Sequence, residues 1–331
     1  MRIGVDGMGG DHAPSVVVNG AIDASREYGI DVVLVGQKGI LEKELSKYKK
    51  VPSNIEIVHA SEVINMDEPA AVSVRKKRDS SIVALANLVK EGKVDAMFSA
   101  GNTGAVVCAA TLSLRLLEGV ERPGIAIIFK GLEGTSMIID VGANIVSKPN
   151  HLLQYAIMCD AYSKYILHKE NPTIGLLNVG EEETKGTDFV KEAHQLLSSS
   201  KLNFAGNIEG RHIFDTKVDI IVCDGFIGNA VLKVSEGIAE TMITLIKREI
   251  NKNILRQIAG LACLPVFKAL KKDMDYSEYG GAPLLGVDGI CIIGHGRSNV
   301  KAIKNAIRVA AEFAKHKVNQ HIVEAIREHA G

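Results

Sequence analysis

The sequence predicts a three-layer α/β/α fold in which helices cover both faces of a largely parallel sheet. Short apolar runs recur along the chain, and most are continuous rather than alternating, which is typical of strands buried on both faces. Helical segments separate these runs, and strand–helix alternation favours parallel strands joined by crossovers. Glycine-rich segments directly follow several of the runs. We therefore expect these segments at the carboxyl ends of strands, where open sheets of this class bind ligands.

The apolar runs and the helical patterns assign the elements in chain order. The predicted strands are residues 2–6, 31–36, 55–59, 96–100, 125–129, 137–141, 174–179, 218–223 and 290–293. The clearest predicted helices are residues 15–28, 80–91, 151–168 and 188–198. No internal repeat or low-complexity linker interrupts this order, so we expect a single α/β domain over residues 1–331.

Composition excludes several classes of protein. The 331 residues are 46% hydrophobic and 24% charged, as in an ordinary globular protein. Lys+Arg and Asp+Glu both total 39, so the chain lacks the basic excess of nucleic-acid-binding proteins. The five cysteines show no CxxC spacing. No signal sequence and no uncharged apolar stretch of about 20 residues is recognisable, which predicts a cytoplasmic protein that does not span a membrane.

Four glycine-rich segments follow predicted strands, at residues 4–14, 99–104, 140–144 and 223–229. Glycine lets backbone N–H groups approach a ligand closely, and a following helix N-terminus favours phosphate. We expect the four segments to meet in one crevice that holds an anion. The first segment has glycines at 4, 7, 9 and 10, which do not fit G-x-G-x-x-G, so a nicotinamide cofactor is not predicted.

Residues 231–272 break the alternation with about forty residues of helical pattern, and we expect them to form a helical projection. Basic and apolar residues are mixed there, and Glu249 is the only acidic residue between 247 and 272. One hypothesis is a helical hairpin, interrupted near Pro265, that packs on a second subunit. The other adds contact with anionic lipid, where apolar burial and basic charge act together.

Six motifs, taken in order, resemble the bacterial phosphate acyltransferases of phospholipid synthesis. They are Gly-Met-Gly-Gly-Asp-His-Ala-Pro at 7–14, Ser-Ala-Gly-Asn-Thr-Gly at 99–104, Asp-Val-Gly-Ala-Asn at 140–144, Asn-Val-Gly-Glu-Glu-Glu-Thr-Lys-Gly at 178–186, Asp-Gly-Phe-Ile-Gly-Asn at 224–229 and Glu-Tyr-Gly-Gly-Ala-Pro-Leu-Leu-Gly at 278–286. The resemblance covers almost the whole chain.

The resemblance implies transfer of a fatty acyl group from acyl carrier protein to inorganic phosphate. The acyl phosphate would then pass to a membrane acyltransferase that acts on glycerol 3-phosphate. It also implies a fold related to phosphotransacetylases and to the isocitrate and isopropylmalate dehydrogenases. We expect a homodimer at the inner face of the membrane, with no cofactor and no nucleic-acid partner.

The chemistry requires groups that hold phosphate and stabilise the oxyanion formed on the thioester carbonyl. Lys185 is the first candidate, because it lies in a loop after a strand and the resemblance places an essential lysine in this motif. Alternatively, Lys185 is a solvated lysine that balances Glu181–Glu183. Asn229 is the second candidate, as a donor to the carbonyl or to phosphate, and its alternative role is the N-cap of a helix that begins near residue 230.

Asp11 and His12 form the most acid–base-like pair, and His12 is a candidate proton donor to the leaving thiolate. A structural histidine that caps the next helix is the alternative. We expect phosphate and substrate to be bound by a larger set of glycine-loop residues. This set is Gly9, Gly10, Gly101, Asn102, Thr103, Gly104, Asp140, Asn144, Asp224 and Gly228. The ten histidines show no metal-binding spacing, so no metal is predicted.

Two surfaces are candidates for macromolecular contacts. The densest basic run, residues 75–78, is a candidate docking site for the acidic carrier protein, and a solvated face is its alternative. The predicted membrane contacts in the projection are Ile258, Leu261, Leu264 and Phe267. Three other functions stay open: a phosphotransacetylase-like enzyme that uses acyl-coenzyme A, an oxidoreductase of the related dehydrogenase fold, and a non-catalytic scaffold of lipid synthesis.

Overall fold

A computed structural model describes residues 1–215, 217–273 and 276–330. The strands are β1 (Arg2–Asp6), β2 (Asp31–Gly36), β3 (Ile55–His59), β4 (Ala96–Ser99), β5 (Gly124–Lys130), β6 (Thr135–Ile139), β7 (Ile174–Asn178), β8 (Phe204–Glu209), β9 (Ile220–Val222), β10 (Ala282–Leu285) and β11 (Cys291–Ile293). Together they form one sheet of order β3-β2-β1-β4-β11-β10-β5-β6-β9-β7-β8.

The helices connect these strands. They are α1 (Ser15–Tyr28), α2 (Lys38–Leu45), α3 (Ala70–Lys76), α4 (Ser81–Lys90), α5 (Thr103–Leu114), α6 (Pro149–Tyr165), α7 (Asp188–Ser198), α8 (Gly225–Ile250), α9 (Ile254–Ala262), α10 (Leu264–Asp273), α11 (Val300–Lys315) and α12 (Val318–Ala330). Short 3-10 helices lie at Gly210–Asp215 and Tyr276–Glu278.

The predicted three-layer fold with a largely parallel sheet is confirmed. On one face, α3, α4, α5 and the first turns of α8 pack on the sheet. On the other face, α1, α2 and α11 cover one half, and α6, α7 and α12 cover the other. Each predicted strand exists within one or two residues of its expected bounds, because a strand buried on both faces needs a continuous apolar run.

Two strands, β8 and β10, were not predicted from the pattern of apolar runs. In β8, Gly206 and Asn207 interrupt the apolar run, and the strand lies at the edge of the sheet where full burial is not required. In β10, Pro283 argues against a central strand because proline cannot donate to the ladder. Nevertheless β10 pairs with β11 and β5, in both cases antiparallel. Its position is therefore set by its neighbours rather than by its own sequence.

Strand direction divides the glycine-rich segments into two groups. Three successive pairings, β11–β10, β10–β5 and β5–β6, are antiparallel, whereas the other neighbouring pairs are parallel. Three reversals leave the two halves of the sheet pointing in opposite directions. The segments after β1 and β4 therefore follow strands that run in one direction, and those after β6 and β9 follow strands that run in the opposite direction.

Helix α8 connects the two groups of loops. It begins at the end of β9 and runs back along the sheet, so that Glu240 pairs with Arg297 at 3.0 Å and Glu236 lies 3.8 Å from His295, in the loop after β11. Glu236 follows Asn229 by seven residues, or about 10 Å along the helix axis. The glycine-rich segments thus form two groups that share α8 instead of one ring of loops.

Residues 225–273 form α8, α9 and α10, with breaks at 251–253 and at Cys263. The second break lies near Pro265, as the sequence predicts. Much of the apolar surface of these helices is exposed, including Ile238 on α8 and Leu261 on α9. None of the helices within the described parts of the chain combines the length and apolar composition needed to cross a bilayer.

The start of α8 depends on a close approach to β6. A Cβ atom added at Gly228 would lie 1.9 Å from the carbonyl oxygen of Asp140. We expect Gly228→Ala to destabilise the protein by about 3 kcal/mol or more, because the helix must move away from the strand. Urea unfolding measures this. The control is Gly39→Ala in α2, where an added Cβ meets no atom within 4 Å; a similar loss there would contradict the explanation.

Candidate active site

The predicted site residues fall into two loop clusters. The β6–β9–β7 cluster comprises the loops after these three neighbouring strands, residues 140–146, 178–187 and 224–229. The β1–β4–β11 cluster comprises residues 7–14, 99–104 and 294–299. Lys185 and Asn229 lie in the first cluster, whereas Asp11 and His12 lie in the second.

Asp140 fixes the backbone of the loop after β6 in the β6–β9–β7 cluster. Its buried carboxylate accepts hydrogen bonds from the backbone N–H groups of Ile125, Gly142, Ala143 and Asn144, at 2.8–3.1 Å. Burial raises the pKa of Asp140 and outweighs the opposing effect of these donors. Asp140 was predicted to bind substrate, but its oxygens are occupied within the protein. These hydrogen bonds hold the backbone of residues 142–144 in place.

Asn144 is also used internally. Its amide donates to the carbonyl oxygen of Pro123 at 2.5 Å and to the hydroxyl of Tyr155 at 2.8 Å. Tyr155 is fully buried, and burial raises its pKa. The Asn144 amide nitrogen thus bridges the loop after β6 and α6, and the substrate contact of this residue stays a prediction.

Asp224, not Asn229, caps α8. The helix begins at Gly225, five residues before the predicted start, and the Asp224 carboxylate accepts from the N–H groups of Phe226 and Ile227 at 3.0 Å each. This leaves the Asn229 side chain exposed on the first turns of the helix. It lies against the loop after β6, since a Cβ on Gly142 would be 3.5 Å from the Asn229 Cβ atom. The alternative role of Asn229 as N-cap is thus wrong.

The loop that carries Lys185 is fixed through its backbone. Asn178 donates to the Lys185 carbonyl oxygen at 3.1 Å, and Asn207 on β8 donates to that of Glu182, also at 3.1 Å. Gly186 has φ +89°, which closes the loop before Thr187 caps α7. The Lys185 side chain is exposed, and no ion pair to its ammonium group is found among the side chains that the structure describes.

A second buried carboxylate organises the β1–β4–β11 cluster. Asp6 ends β1 and accepts from the Ser99 hydroxyl at 2.7 Å and from the Met8 N–H at 3.1 Å. Burial raises the pKa of Asp6. An added Cβ at Gly9 would lie 2.5 Å from the Asp6 carboxylate and 2.7 Å from the Gly101 nitrogen. Gly9 and Gly101 are therefore required for the two loops to pack together.

Asn102 has a structural role. Its side-chain oxygen caps α5 through the Ala105 N–H at 3.0 Å, and its amide nitrogen donates to the carbonyl oxygens of Asn65, Met66 and Glu68. The neighbouring Thr103 and Gly104 are exposed in the first turn of α5. Only these two members of the 101–104 segment therefore present their backbone to solvent.

Asp11 and His12 are both exposed, and His12 does not cap α1 through its side chain. Gly10 takes φ +101°, and the Asp11 N–H donates to the Gly296 carbonyl oxygen at 2.8 Å, which ties the first loop to the loop after β11. Asp11 and His12 follow β1, whereas Lys185 follows β7, and these two strands run in opposite directions. The role of His12 as proton donor stays a prediction.

The basic run at 75–78 divides in two. Lys77 is half-buried and pairs with Glu68 at 2.6 Å, whereas Arg75, Lys76 and Arg78 are exposed. Arg75 lies near Cys108 of α5. Burial raises the pKa of the Cys108 thiol, and the positive charge of Arg75 acts in the opposite direction. The exposed basic residues consequently border the face of the sheet that lies between α5 and α8.

Several supporting residues were missed by the sequence analysis, notably Asp6, Glu68 and Asn207. The role of Asp6 could have been predicted from the sequence. Like Asp140, it is a carboxylate at the end of an apolar run and is followed closely by a glycine. Asn207 carries none, because its partner is 25 residues away, and Glu68 carries none, although Asn65, Ser73 and Lys77 lie within nine residues of it, because no strand or glycine pattern marks the segment. Within the described residues, no three His, Cys, Asp or Glu side chains converge in a way that would hold a metal ion.

Comparison with solved structures defines the fold. The chain aligns with a phosphotransacetylase from Streptococcus pyogenes with a TM-score of 0.64 at 18% identity, covering 96% of this chain and 94% of that one. It aligns with a 4-hydroxythreonine-4-phosphate dehydrogenase from Klebsiella pneumoniae with a TM-score of 0.54 at 14% identity, covering 95% and 99%. The predicted relation to the phosphotransacetylase and dehydrogenase folds is confirmed.

Comparison of sequences defines the family. A family profile described as "Fatty acid synthesis protein" matches residues 1–321. Proteins named "Phosphate acyltransferase" include one from Geotalea daltonii, 49% identical over 99% of this chain and 95% of its own length, and one from Desulfitobacterium hafniense, 51% identical over 94% and 93%. The chain belongs to the phosphate acyltransferase family. It is an enzyme that transfers an acyl group to phosphate, so the oxidoreductase and scaffold hypotheses are not supported.

The pair Glu68–Lys77 generates a pH-dependent prediction. The hydrogen bond from Lys77 is the main cause that lowers the pKa of Glu68 from 4.5 to about 2. A depressed pKa stabilises the fold above pH 4.5, and the contribution is lost as pH falls toward 2. We expect Glu68→Gln to lower the thermal midpoint at pH 7, with a difference from wild type that shrinks below pH 4.5. Lys77→Met should give the same pH profile, and a pH-independent difference would contradict the assignment.

Proposed function

We propose that this enzyme transfers a long-chain acyl group from acyl carrier protein to inorganic phosphate, and that the reaction occurs at the β6–β9–β7 cluster. The observation that carries the proposal is the position of Lys185 and Asn229. Both side chains are exposed after adjacent strands, near loops whose backbone is fixed by hydrogen bonds from and to side chains. A rigid backbone with free polar side chains is suited to holding a reacting anion.

In the proposed reaction, a phosphate oxygen attacks the thioester carbonyl carbon, and the carbonyl oxygen becomes an oxyanion. The oxyanion then collapses as the carbon–sulfur bond breaks, which gives acyl phosphate and the thiolate of the carrier. The Lys185 ammonium binds the phosphate dianion and orients it. The Asn229 amide donates to the oxyanion. No enzyme nucleophile is required, and burial raises the pKa of the nearby Cys223 thiol well above its ordinary value, which disfavours a thiolate there.

The acyl chain is proposed to lie on the sheet between α5 and α8. Half-buried apolar side chains from α5, β5 and α8 share this face of the sheet, including Val107, Ile127, Phe129 and Leu232. This surface runs between the two loop clusters. An apolar surface next to a few polar groups is the usual composition of a small-molecule site.

The carrier protein is proposed to dock at Arg75, Lys76 and Arg78. These exposed cations lie on and after α3, which packs against α5, and they complement an acidic partner. Gly104 packs against Ala70 of α3, where an added Cβ would be 3.0 Å from the Ala70 Cβ atom. Docking here would place the thioester-bearing group of the carrier at the α5 side of the apolar surface. This group is proposed to contact Thr103, Gly104 and the Gly9–Gly10 turn.

A homodimer is proposed to form through α8. Exposed apolar side chains follow one another along this helix at Ile227, Val234, Ile238, Met242 and Leu245. Spacings of seven, four and three residues place them on one stripe, as in paired helices. The stripe begins within the turn that carries Asn229, so a second copy would lie beside the reacting groups.

Peripheral contact with an anionic membrane is proposed for α9. Ile254, Leu255, Ile258 and Leu261 are exposed on this helix, and Leu264 follows on α10. In contrast, Phe267 is half-buried and lines a cavity of about 340 Å³ with Ile250 and Gly260. The proposed surface therefore excludes Phe267. It would hold the enzyme at the inner membrane face, near the acyltransferase that uses acyl phosphate.

We expect Lys185→Ala to reduce kcat/KM for phosphate by about 100- to 1000-fold, because one electrostatic contact to the transition state is lost. Lys185→Arg should retain part of the activity. The measurement is phosphate-dependent loss of palmitoyl-carrier thioester, with acyl phosphate trapped by hydroxylamine. Lys201→Ala, an exposed lysine after α7, is the control. Full activity of Lys185→Ala would refute the assigned role, and preference for acyl-coenzyme A would refute the carrier as donor.

We expect Leu261→Glu with Leu264→Glu to abolish sedimentation with phosphatidylglycerol vesicles, while turnover in solution changes less than about twofold. The side chains are 65% and 43% exposed, so the substitutions should not disturb the core. The matched control is Ile40→Glu with Val51→Glu, which adds the same charge at sites 40% and 38% exposed on other elements. Equal vesicle binding of the two double variants would exclude α9 as the contact.

A further inference from the structure

A buried asparagine on the edge strand β8 contacts the loop that carries Lys185. Asn207 is 7% exposed, and its register partner on β7 is Leu176, a fully buried core residue. A buried amide destabilises the fold unless its polar atoms find partners, whereas an apolar side chain carries no such penalty. Packing alone therefore does not account for an asparagine at this position.

The amide group of Asn207 is only half satisfied. Its Nδ2 atom donates to the Glu182 carbonyl oxygen at 3.1 Å. Its Oδ1 atom is buried, and no donor to it is found among the residues that the structure describes. The side chain thus loses the hydration of its acceptor and gains a bond to the loop. A buried polar group of this kind is unfavourable for the fold and is expected where the contact serves a function.

The bond from Asn207 reaches Lys185 through a single carbonyl group. The Glu182 carbonyl oxygen also accepts from the Lys185 N–H at 3.1 Å, which closes a turn across residues 182–185. The Asn207 amide and the Lys185 N–H therefore donate to the same oxygen atom. Because of this shared acceptor, a shift of the Glu182 peptide group would move the lysine backbone with it.

The carboxyl side of Lys185 is held by a second asparagine. Asn178, at the end of β7, donates from Nδ2 to the Lys185 carbonyl oxygen at 3.1 Å. Gly186 lies so close that an added Cβ atom would be 2.5 Å from the Asn178 Oδ1 atom. The lysine backbone is thus tied to β7 on one side and, through Glu182, to Asn207 of β8 on the other. Two amides from neighbouring strands set the place from which the exposed lysine side chain extends.

We propose that Asn207 is a positioning residue that fixes the backbone of Lys185, so that the lysine ammonium meets phosphate in the reacting geometry. This inference rests on the proposed role of Lys185 in binding phosphate. Asn207 does not contact the reacting atoms, because its side chain is buried and bonds to a loop carbonyl. Its effect passes through the lysine, and a misplacement of about 1 Å at a catalytic group can lower a rate about 100-fold.

Asn207→Leu tests the proposal, since leucine has the same branched shape without polar atoms. We expect kcat/KM for phosphate to fall about 10- to 100-fold, with the KM for the acyl carrier changed less than about twofold. The urea midpoint should equal or exceed that of wild type, because the half-satisfied amide is gone. A residue that only stabilises the fold would give the opposite result, a lower midpoint with normal phosphate kinetics. Asn207→Ala, which cannot overfill the site, should show the same kinetic loss.

A double-mutant cycle separates this proposal from the proposed function. In the Lys185→Ala background, Asn207→Leu should lower kcat/KM for phosphate less than about twofold, because its effect requires the lysine. The matched control is Asn203→Leu, which removes a 3.1 Å bond to the Asn171 carbonyl oxygen at the other end of β8 and should leave phosphate kinetics unchanged. An equal loss from Asn207→Leu in both backgrounds, or no loss in the wild-type background, would overturn the positioning role. Full activity of Lys185→Ala would instead overturn the proposed role of the lysine itself.

Discussion

The arrangement of the candidate active site depends on the carboxylate of Asp140, which is buried at the end of β6. It accepts from four backbone N–H groups and thereby fixes the loop against which α8 begins. Gly228 lies so close to the Asp140 backbone that no side chain fits between them. Because the helix start is fixed, the position of Asn229 is fixed as well. Asp6 has the same role at the end of β1, where it holds the first loop against β4.

Reversal of strand direction separates the glycine-rich loops into two groups. Parallel strands would collect all their loops at one edge, but the antiparallel insertion of β10 and β5 separates them. α8 reconnects the clusters through its contacts with Arg297 and His295. We propose that the two groups serve one substrate, with the phosphate acceptor at one group and the protein carrier of the long apolar chain at the other.

The amino-acid sequence alone predicted the structure where local interactions decide the outcome. Continuous apolar runs identified the buried strands, and glycine segments after them marked their carboxyl ends, as at Gly101 and Gly142. It failed where a residue's role depends on distant partners. Asn102 and Asn144 looked like ligand groups because amides at loop ends often bind substrates, yet their amides bond to backbone 21 to 37 residues away. Likewise, the distance between His12 and Lys185 depends on strand order, which composition and periodicity do not encode.

The sequence by itself determined the family, the acyl transfer to phosphate, the three-layer fold and the loops that carry polar residues, because motifs and apolar periodicity are local properties. Only the tertiary structure decided which of those residues support the loops and which face solvent. Burial and hydrogen-bond geometry make that distinction: the carboxylate oxygens of Asp140 and the amide nitrogen of Asn144 bond within the protein, whereas the side chains of Lys185 and Asn229 are exposed.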